Sequence, residues 1–348
     1  MAYTPVQHYA PWVMVPFLKA VKILEDLGIA VVGNNDDITR EGNFIQIPKV
    51  NDISSFARRN VTTTGATRSF TDMGNIVESG VILHDDIADS FPYGNIERVG
   101  TNFRNYWAAR VGLKWFRRLK QQLYRVAKTA VEVADTTDGS TASADIHIKD
   151  DYSASSNNTM TFTRLQDAKA KMGDRAGDLT VAVMHSTPFN NLVKDGISNY
   201  KIDSLAGKLV GVGGMDASAI KKIVNFGIIS FDALGMIIIA DDDISSISMT
   251  GSTYTYKTKY ETLLLGPEAL YVGYQRALTL FEQDDIDDAR GVVRKMRAEV
   301  DYCCHLNSIK WNVTTANPTD AQLGTKSNWD EVYSDHKECK CVKLITNG

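Results

Sequence analysis

Three features of the sequence predict an α+β protein. One helix in the first half is unusually long, the second half is dominated by short apolar strands, and several excursions are too extended to bury themselves.

From Ile96 to Ala134 there is no proline. Val99, Phe103, Tyr106, Ala109, Leu113, Phe116, Leu119, Leu123, Ala127 and Ala130 recur three or four residues apart, as one apolar face does. A helix of that length runs roughly 55–60 Å at 1.5 Å per residue, which makes it a spine and not the packing unit of a compact enzyme. The rest of its surface is basic. Between Arg104 and Lys128 stand Arg110, Lys114, Arg117, Arg118, Lys120 and Arg125, with no Asp or Glu among them. Such a face is solvated, pairs with acidic runs elsewhere in the chain, or meets a neighbouring subunit's acids or a nucleic-acid backbone.

Residues 1–41 read as an arm. Pro5, Pro11 and Pro16 punctuate an apolar stretch holding Tyr9, Trp12, Val13, Val15 and Phe17, and a short helix from about Phe17 to Leu27 stops near Gly28. Apolar side chains on an extended terminus need a surface to cover, on the same chain or on another subunit. Residues 42–83 read as a long hairpin. GNFIQIPKV alternates as a strand ending at Pro48, NVTTTGATRSFTDM forms a polar tip, and NIVESGVILHD alternates again. Such a hairpin buries little of itself and is held from outside. Asp85 to Tyr93 then reads as a turn into the spine helix.

After the helix, Thr136 to Asn158 is a polar insertion with a short strand at Asp145 to Ile148. Phe162 to Met172 reads as an amphipathic helix capped near Thr163 and stopped at Gly173. Leu179 to Met184 is a buried strand, followed by a turn and helix in HSTPFNNLVKDG, and then by a glycine-dense loop from Gly207 to Gly214. Asn225 to Ala240 holds two short strands around a turn, stopped by Asp241, Asp242 and Asp243. Tyr254 to Gly266 and Ala269 to Gly273 are strands broken at Gly266–Pro267. Val292 to Asn312 is a long alternating run, and Val342 to Ile345 a final strand.

The 348 residues, 43% hydrophobic and 23% charged, suffice for one large domain or two ordinary ones with ample core. The net charge of −4 argues against a dedicated DNA-binding protein. No apolar run reaches the roughly 18 residues of a membrane span, and the N-terminus lacks a basic n-region and a cleavage site. Cys303, Cys304, Cys339 and Cys341 are too few and too late for a disulfide framework, which fits synthesis in a reducing cytoplasm.

No constellation for catalysis emerges. Gly211, Gly213 and Gly214 give an incomplete dinucleotide pattern, and there is no phosphate-binding GK[ST] loop or nucleophile elbow. His185 beside Ser186 reads as a strand-to-helix cap, since adjacent residues point apart and no third group orients them. Cys303, Cys304 and His305 with His336, Cys339 and Cys341 offer zinc-ligand types, but without C-x2-C spacing they read as structural thiols. Cys339 and Cys341 are expected on one face of a strand. Asp241–Asp243 and Asp284–Asp288 lack the order of a calcium loop and read as solvated edges or intersubunit partners of the basic helix. No catalytic, cofactor or metal site is expected.

Four segments, in order, resemble the major capsid proteins of tailed bacteriophages with the Hong Kong 97 fold. They are Asp178 to Leu192 (DLTVAVMHSTPFNNL), Phe226 to Asp242 (FGIISFDALGMIIIADD), Tyr260 to Gly273 (YETLLLGPEALYVG), and Pro318 to Asn347 with its Pro-Thr, Asn328–Trp329 and closing LITN. The resemblance implies an N-terminal arm (1–41), an extended β-hairpin loop (42–83), a peripheral domain with the spine helix (84–178) and an axial domain (179–280). Residues 281–348 would return strands to the peripheral domain and close the chain.

The resemblance further implies a subunit made in the host cytoplasm that joins copies of itself as hexamers and pentamers. These would close an icosahedral virion shell over double-stranded DNA bound without sequence specificity. Trp12, Phe17, Phe44, Ile47, Arg68, Phe70, Arg117, Arg118, Asp284 and Asp285 are the expected subunit-interface residues. Portal and cement proteins are further candidate partners, and no membrane is involved. Relatives often begin with a cleaved scaffolding segment. The arm starting almost at Met1 leaves no room for one, so a separate scaffolding protein, or none, is expected. Some members crosslink a loop Lys to an Asn. Lys49 is the only Lys in the segment and lies near its base, so that chemistry is not carried over. The competing readings are an encapsulin-like compartment holding protein cargo and, from another class, a nucleotide-binding enzyme using Gly211–Gly214.

Overall fold

The computed structural model describes residues 4–5, 22–33, 44–50, 75–94, 103–134, 147–199, 228–231, 235–249, 256, 258–287, 291–333 and 335–347. In chain order the elements are β1 (Thr4–Pro5), β2 (Ala30–Gly33), β3 (Phe44–Val50), β4 (Asn75–Pro92), α1 (Phe103–Ala134), β5 (Ile148–Asp150), α2 (Phe162–Ala170), β6 (Val181–Met184) and α3 (Ser186–Asn199). There follow β7 (Ile228–Phe231), β8 (Met236–Ala240), β9 (Ser246–Ser248), β10 (Thr258–Leu265), β11 (Leu270–Asp287), β12 (Gly291–Leu306), β13 (Ile309–Trp311), α4 (Asp320–Leu323), β14 (Trp329–Glu331) and β15 (Cys341–Asn347). Trp12, Phe17, Arg68, Phe70 and the Gly211–Gly214 loop lie outside the described residues.

Two sheets flank the long helix. The long-strand sheet runs β1-β11-β12-β4-β3, with β2 also on β11. The short-strand sheet runs β5-β15-β10-β6-β8-β7, with β9 on β10. Both faces of the middle of the short-strand sheet are covered, which is why β6 and β8 read as unbroken apolar runs. Val181, Val183, Leu263 and Leu265 face the core that contains α1. Ala182, Met184, Leu264, Val342 and Leu344 face a second core with Phe162 and Leu165 of α2 and Phe189 and Leu192 of α3. A Cβ on Gly266 would lie 2.9 Å from both the Asp178 carbonyl oxygen and the Lys340 Cβ, so the turn from β10 to β11 packs where no side chain fits.

The predicted hairpin pairs as an antiparallel ribbon, Phe44 opposite Val81 through Val50 opposite Asn75. Two expectations within it are corrected. Strand β3 does not end at Pro48 but continues to Val50, and it stands at the edge of the sheet, where a strand tolerates proline. The acidic stretch after Leu83 is no turn, since β4 runs unbroken to Pro92. Its acids are tolerated in a strand because both faces offer cations or donors: Asp86 meets Arg297 on β12 at 3.0 Å, while Asp85 and Asp89 meet the helix.

Strand β11 likewise reaches Asp287 instead of Gly273, bent by register shifts around Arg276. The lines drawn at 83/84 and 280/281 therefore fall inside continuous strands. Residues 281–348 divide, with β12 in the long-strand sheet and β15 between β10 and β5 in the other. Helix α2 is capped by Thr161, whose side chain accepts the Arg164 amide, and not at Thr163. Cys339 and Cys341 do not share a strand. Cys339 closes a 3-10 turn, and Lys340 in the left-handed region (φ 48) breaks the chain before β15 begins.

Candidate functional site

Helix α1 is the element through which the two sheets communicate. Its 32 residues span roughly 48 Å at 1.5 Å per residue. The buried line is Phe103, Trp107, Val111, Trp115, Leu119, Leu123, Ala127 and Ala130, joined by Tyr124, Val126, Val131 and Ala134. The expected face through Tyr106, Ala109 and Leu113 is wrong over the N-terminal half, where Tyr106 and Leu113 are each 57% exposed. Steps of three residues fall about 60° short of a turn, so repeating them walks the line off the buried side.

Along the helix the basic residues are taken up in succession. Trp107 Nε1 donates to Asp89 on β4 at 2.7 Å. The Arg118 guanidinium meets Asp85 on β4 at 2.9 Å and Asp320 at the start of α4 at 2.7 Å, and Arg125 meets Asp320 at 2.8 Å. Lys120 lies between Asp241 and Asp243 at 2.8 and 2.6 Å, and the Tyr124 hydroxyl donates to Asp241 at 2.9 Å. Lys128 meets Glu261 on β10 at 2.6 Å, and Lys343 on β15 meets both Glu132 and Glu261. The Asp241–Asp243 cluster is thus more than a solvated edge, although the Asp242 side chain is 67% exposed. Two of its carboxylates serve the chain's own helix, and Asp242 accepts the Ser186 amide at the start of α3.

Arg118 and Asp320 hold each other charged. Burial alone would raise the Asp320 carboxyl, but the Arg118 hydrogen bond and the charges of Arg118 and Arg125 outweigh it and hold the group at about 2, below its ordinary 3.8. A carboxylate depressed on folding contributes stability that is present above its unfolded pKa and lost as pH falls toward the folded one. Wild type is therefore expected to be more stable than Asp320→Asn at neutral pH. The gap in thermal midpoint should close between about pH 4 and pH 2, and a constant gap over that range would contradict the assignment.

Other expected site residues lie as follows. Asp284 pairs with Arg294 at 2.8 Å and accepts from the Tyr93 hydroxyl, and Asp285 pairs with Lys295 at 2.5 Å, both across the β11–β12 hairpin. Phe44 packs half-buried on the core, and Ile47 on a small cluster of Ile45, Ile82 and Cys303. His185 accepts the Thr187 amide at 3.1 Å and approaches Asp242 at 3.5 Å, as a cap does. The four cysteines are buried free thiols. His305 pairs with Glu78 and His336 with Glu331. Among the described residues no three His, Cys, Asp or Glu side chains converge as metal ligands would, and no helix is long and apolar enough to cross a membrane.

What remains exposed on α1 is a narrower strip than the sequence suggested. It comprises Tyr106, Arg110 (which donates to the Tyr106 hydroxyl), Leu113, Lys114, Arg117 and Gln121. Lys114 and Arg117 have no acidic partner among the described residues and border a cleft of about 460 Å³ against Asp85, Asp86 and Ile87 of β4. The cation pairs, the Glu78–His305 contact and the Lys128–Glu261–Lys343 group were not found from sequence, because partners so far apart in the chain leave no periodic signal. The Thr319–Gln322 capping box that places Asp320 was legible as T-x-x-Q.

The Gp13-like family, described as major capsid protein 13-like, matches residues 39–342. The chain belongs to this family of major capsid proteins. It is a structural subunit of a phage head. The capsid protein shares its mixed helix-and-sheet fold with the capsid of cyanophage Pam1, at 12% identity and a TM-score of 0.58 over 91% of this chain and 88% of the other. It is similar also to the capsid of Ralstonia phage GP4, at 12% identity and a TM-score of 0.54 over 92% and 87%. No curated protein matches it. The place of such a subunit is the virion, where it assembles with copies of itself.

Proposed function

We propose that the capsid protein closes into an icosahedral shell of hexamers and pentamers around double-stranded DNA, with no catalytic activity of its own. In this reading residues 1–41 are an arm, rooted on the chain's own β11 through β1 and β2, and 42–83 an extended loop, and both reach a neighbouring copy. The peripheral (84–178) and axial (179–280) parts and the closing segment (281–348) form the body. The ribbon of β3 and β4 carries the reading, since from Val81 to Asn75 β4 has no partner but β3 among the described residues, and Val77 is 44% exposed. A lone two-stranded ribbon is marginal and gains from a surface supplied by another subunit. Many such modest contacts sum in a closed lattice. Trp12, Phe17, Phe44, Ile47, Arg68 and Phe70 are the proposed arm and loop contacts. On the body they are Arg118, Asp284 and Asp285, each beside its partner within the chain, and Arg117 where the subunit contact borders the DNA-facing strip. Exposed pairs contribute only about 0–1 kcal/mol each, so apolar burial dominates. The subunit is made in the host cytoplasm, and scaffolding, portal and cement proteins are its further partners.

Electron microscopy of the purified protein, with absorbance at 260 and 280 nm, tests this. Closed shells or capsomer rings with a high 260 nm signal are expected. Shells holding protein and no nucleic acid would instead indicate an encapsulin-like compartment, and a small uniform particle under all conditions would overturn self-assembly.

The strip of Arg110, Lys114 and Arg117 is the proposed DNA-facing part of the helix, because Arg118, Lys120, Arg125 and Lys128 have acidic partners within the chain. Changing all three to Gln is expected to shift stability by no more than about 0.5 kcal/mol. It should flatten the salt dependence of nucleic-acid retention, by about 0.9 in log–log slope per lost phosphate contact. An unchanged slope removes the strip from the DNA-facing surface.

A further inference from the structure

Strand β4 changes partner once along its length. From Pro92 back to Ile82 it pairs with β12, ending at Ile82 opposite Cys303, and from Val81 to Asn75 its strand partner among the described residues is β3. The direction in which the ribbon leaves the long-strand sheet is therefore set by whatever holds it just past that change. Apolar contact is available there, since Ile45 packs with Ile82 and Cys303. Contact between aliphatic surfaces is non-directional, however, and lets a two-stranded ribbon slide and twist.

A directional hold is also present, and it is buried. Glu78 is 1% exposed, one of its carboxylate oxygens accepts the Ser308 amide at 3.1 Å, and the other lies 3.3 Å from His305 Nε2. His305 belongs to the last residues of β12. Ser308 stands in the turn beyond, at a φ of +70 in the left-handed region. On the opposite face of β4 the Ser79 hydroxyl donates to the Trp311 carbonyl at 3.1 Å. Gly80, on the Glu78 face, permits the approach. A Cβ there would lie 2.7 Å from Cys303 Sγ, 2.8 Å from Ile45 Cγ2 and 3.5 Å from His305 Nδ1. A carboxylate sealed from water must keep its donors, so the ribbon can rotate only by stripping Glu78 of both at once. An aliphatic residue at this position would pack without imposing any such angle.

We propose that Glu78 is a latch, a positioning residue that fixes the angle at which the β3–β4 ribbon leaves the body and so presents the ribbon to a neighbouring copy. This rests on the reading that the ribbon lies on another subunit. The test uses the full chain below its assembly concentration. Spin labels are placed at Gln46→Cys on the ribbon and Ala88→Cys on the body, both exposed positions, while the native thiols are buried.

Glu78→Ala is expected to broaden the ribbon-to-body distance distribution and to raise the concentration needed for shells about tenfold, where tenfold corresponds to about 1.4 kcal/mol. Glu78→Gln, which keeps the shape and one acceptor for Ser308, should fall between. An unchanged distribution in folded Glu78→Ala overturns the latch. A broadened distribution with unchanged assembly shows that the angle does not govern docking, and overturns the delivery role while leaving self-assembly intact. Should wild type form no shells, the self-assembly reading fails, and the distance measurement still decides the latch. Should neither variant fold, Glu78 is a core element and the latch is overturned.

Discussion

Glu261→Gln is expected to lower stability by about 3–5 kcal/mol, because it removes the carboxylate that two buried ammonium groups share and leaves only Lys343 with another, that of Glu132. Glu261 lies between Lys128, 2.6 Å away, and Lys343, whose side chain is 2% exposed. Lys343 also contacts Glu132 and the Lys128 carbonyl, and Lys128 donates to Ser245, so the four charges bind the C-terminal half of α1 to β10 and β15. The measurement is denaturant unfolding of the single variant and of Glu261→Gln with Lys128→Met. The double variant should recover part of the loss, since removing an ammonium along with its carboxylate leaves less uncompensated charge than removing the carboxylate alone. A loss below about 1 kcal/mol in the single variant would mean that water reaches this group and screens it.

The second large effect separates the two faces of α1. Trp115→Ala should cost about 3–5 kcal/mol, the range for deleting a large buried aromatic. Trp115 is 1% exposed in the core common to both sheets. Leu113→Ala, two residues away and 57% exposed, should change stability by no more than about 0.5 kcal/mol. Thermal or chemical unfolding of the pair distinguishes the buried line from the one drawn by residue spacing. Comparable losses would restore the face through Tyr106 and Leu113 and place Trp115 in a looser environment.

The two halves of the molecule were legible to different depths. Strands β6, β8, β10 and β15 could be placed from short apolar runs, because a strand buried on both faces advertises itself by composition. The pairing of residues 44–50 with 75–81 could be read from alternation on either side of a polar tip. Strand β4 beyond Leu83 and β11 beyond Gly273 could not. His84, Asp85, Asp86 and Asp89, like Asp284 and Asp285, have loop-like composition, and their strand state depends on cations and donors brought from α1 and β12. Charge at a strand position is uninformative until its cross-strand neighbour is known.

By itself the sequence determined that there is one very long helix, that it is basic on the surface it does not bury, and that a strand-rich half follows it. These are local properties: periodicity, absence of proline and alternation report on a few consecutive residues. It also determined what the chain lacks in familiar catalytic motifs, and the ordered segments behind its likeness to capsid proteins. Only the tertiary structure decided which side of the helix is inside, since a drift of one residue in the apolar pattern turns the face by about 100°. It alone assigned Arg118, Lys120 and Lys128 to acids far away in the chain and left Lys114 and Arg117 at an open cleft. It alone buried Glu78 against His305 at the root of the ribbon. A charge is a one-residue property, but whether it is solvated, paired or latched depends on what the fold sets within about 4 Å of it, and sequence separation carries no record of that.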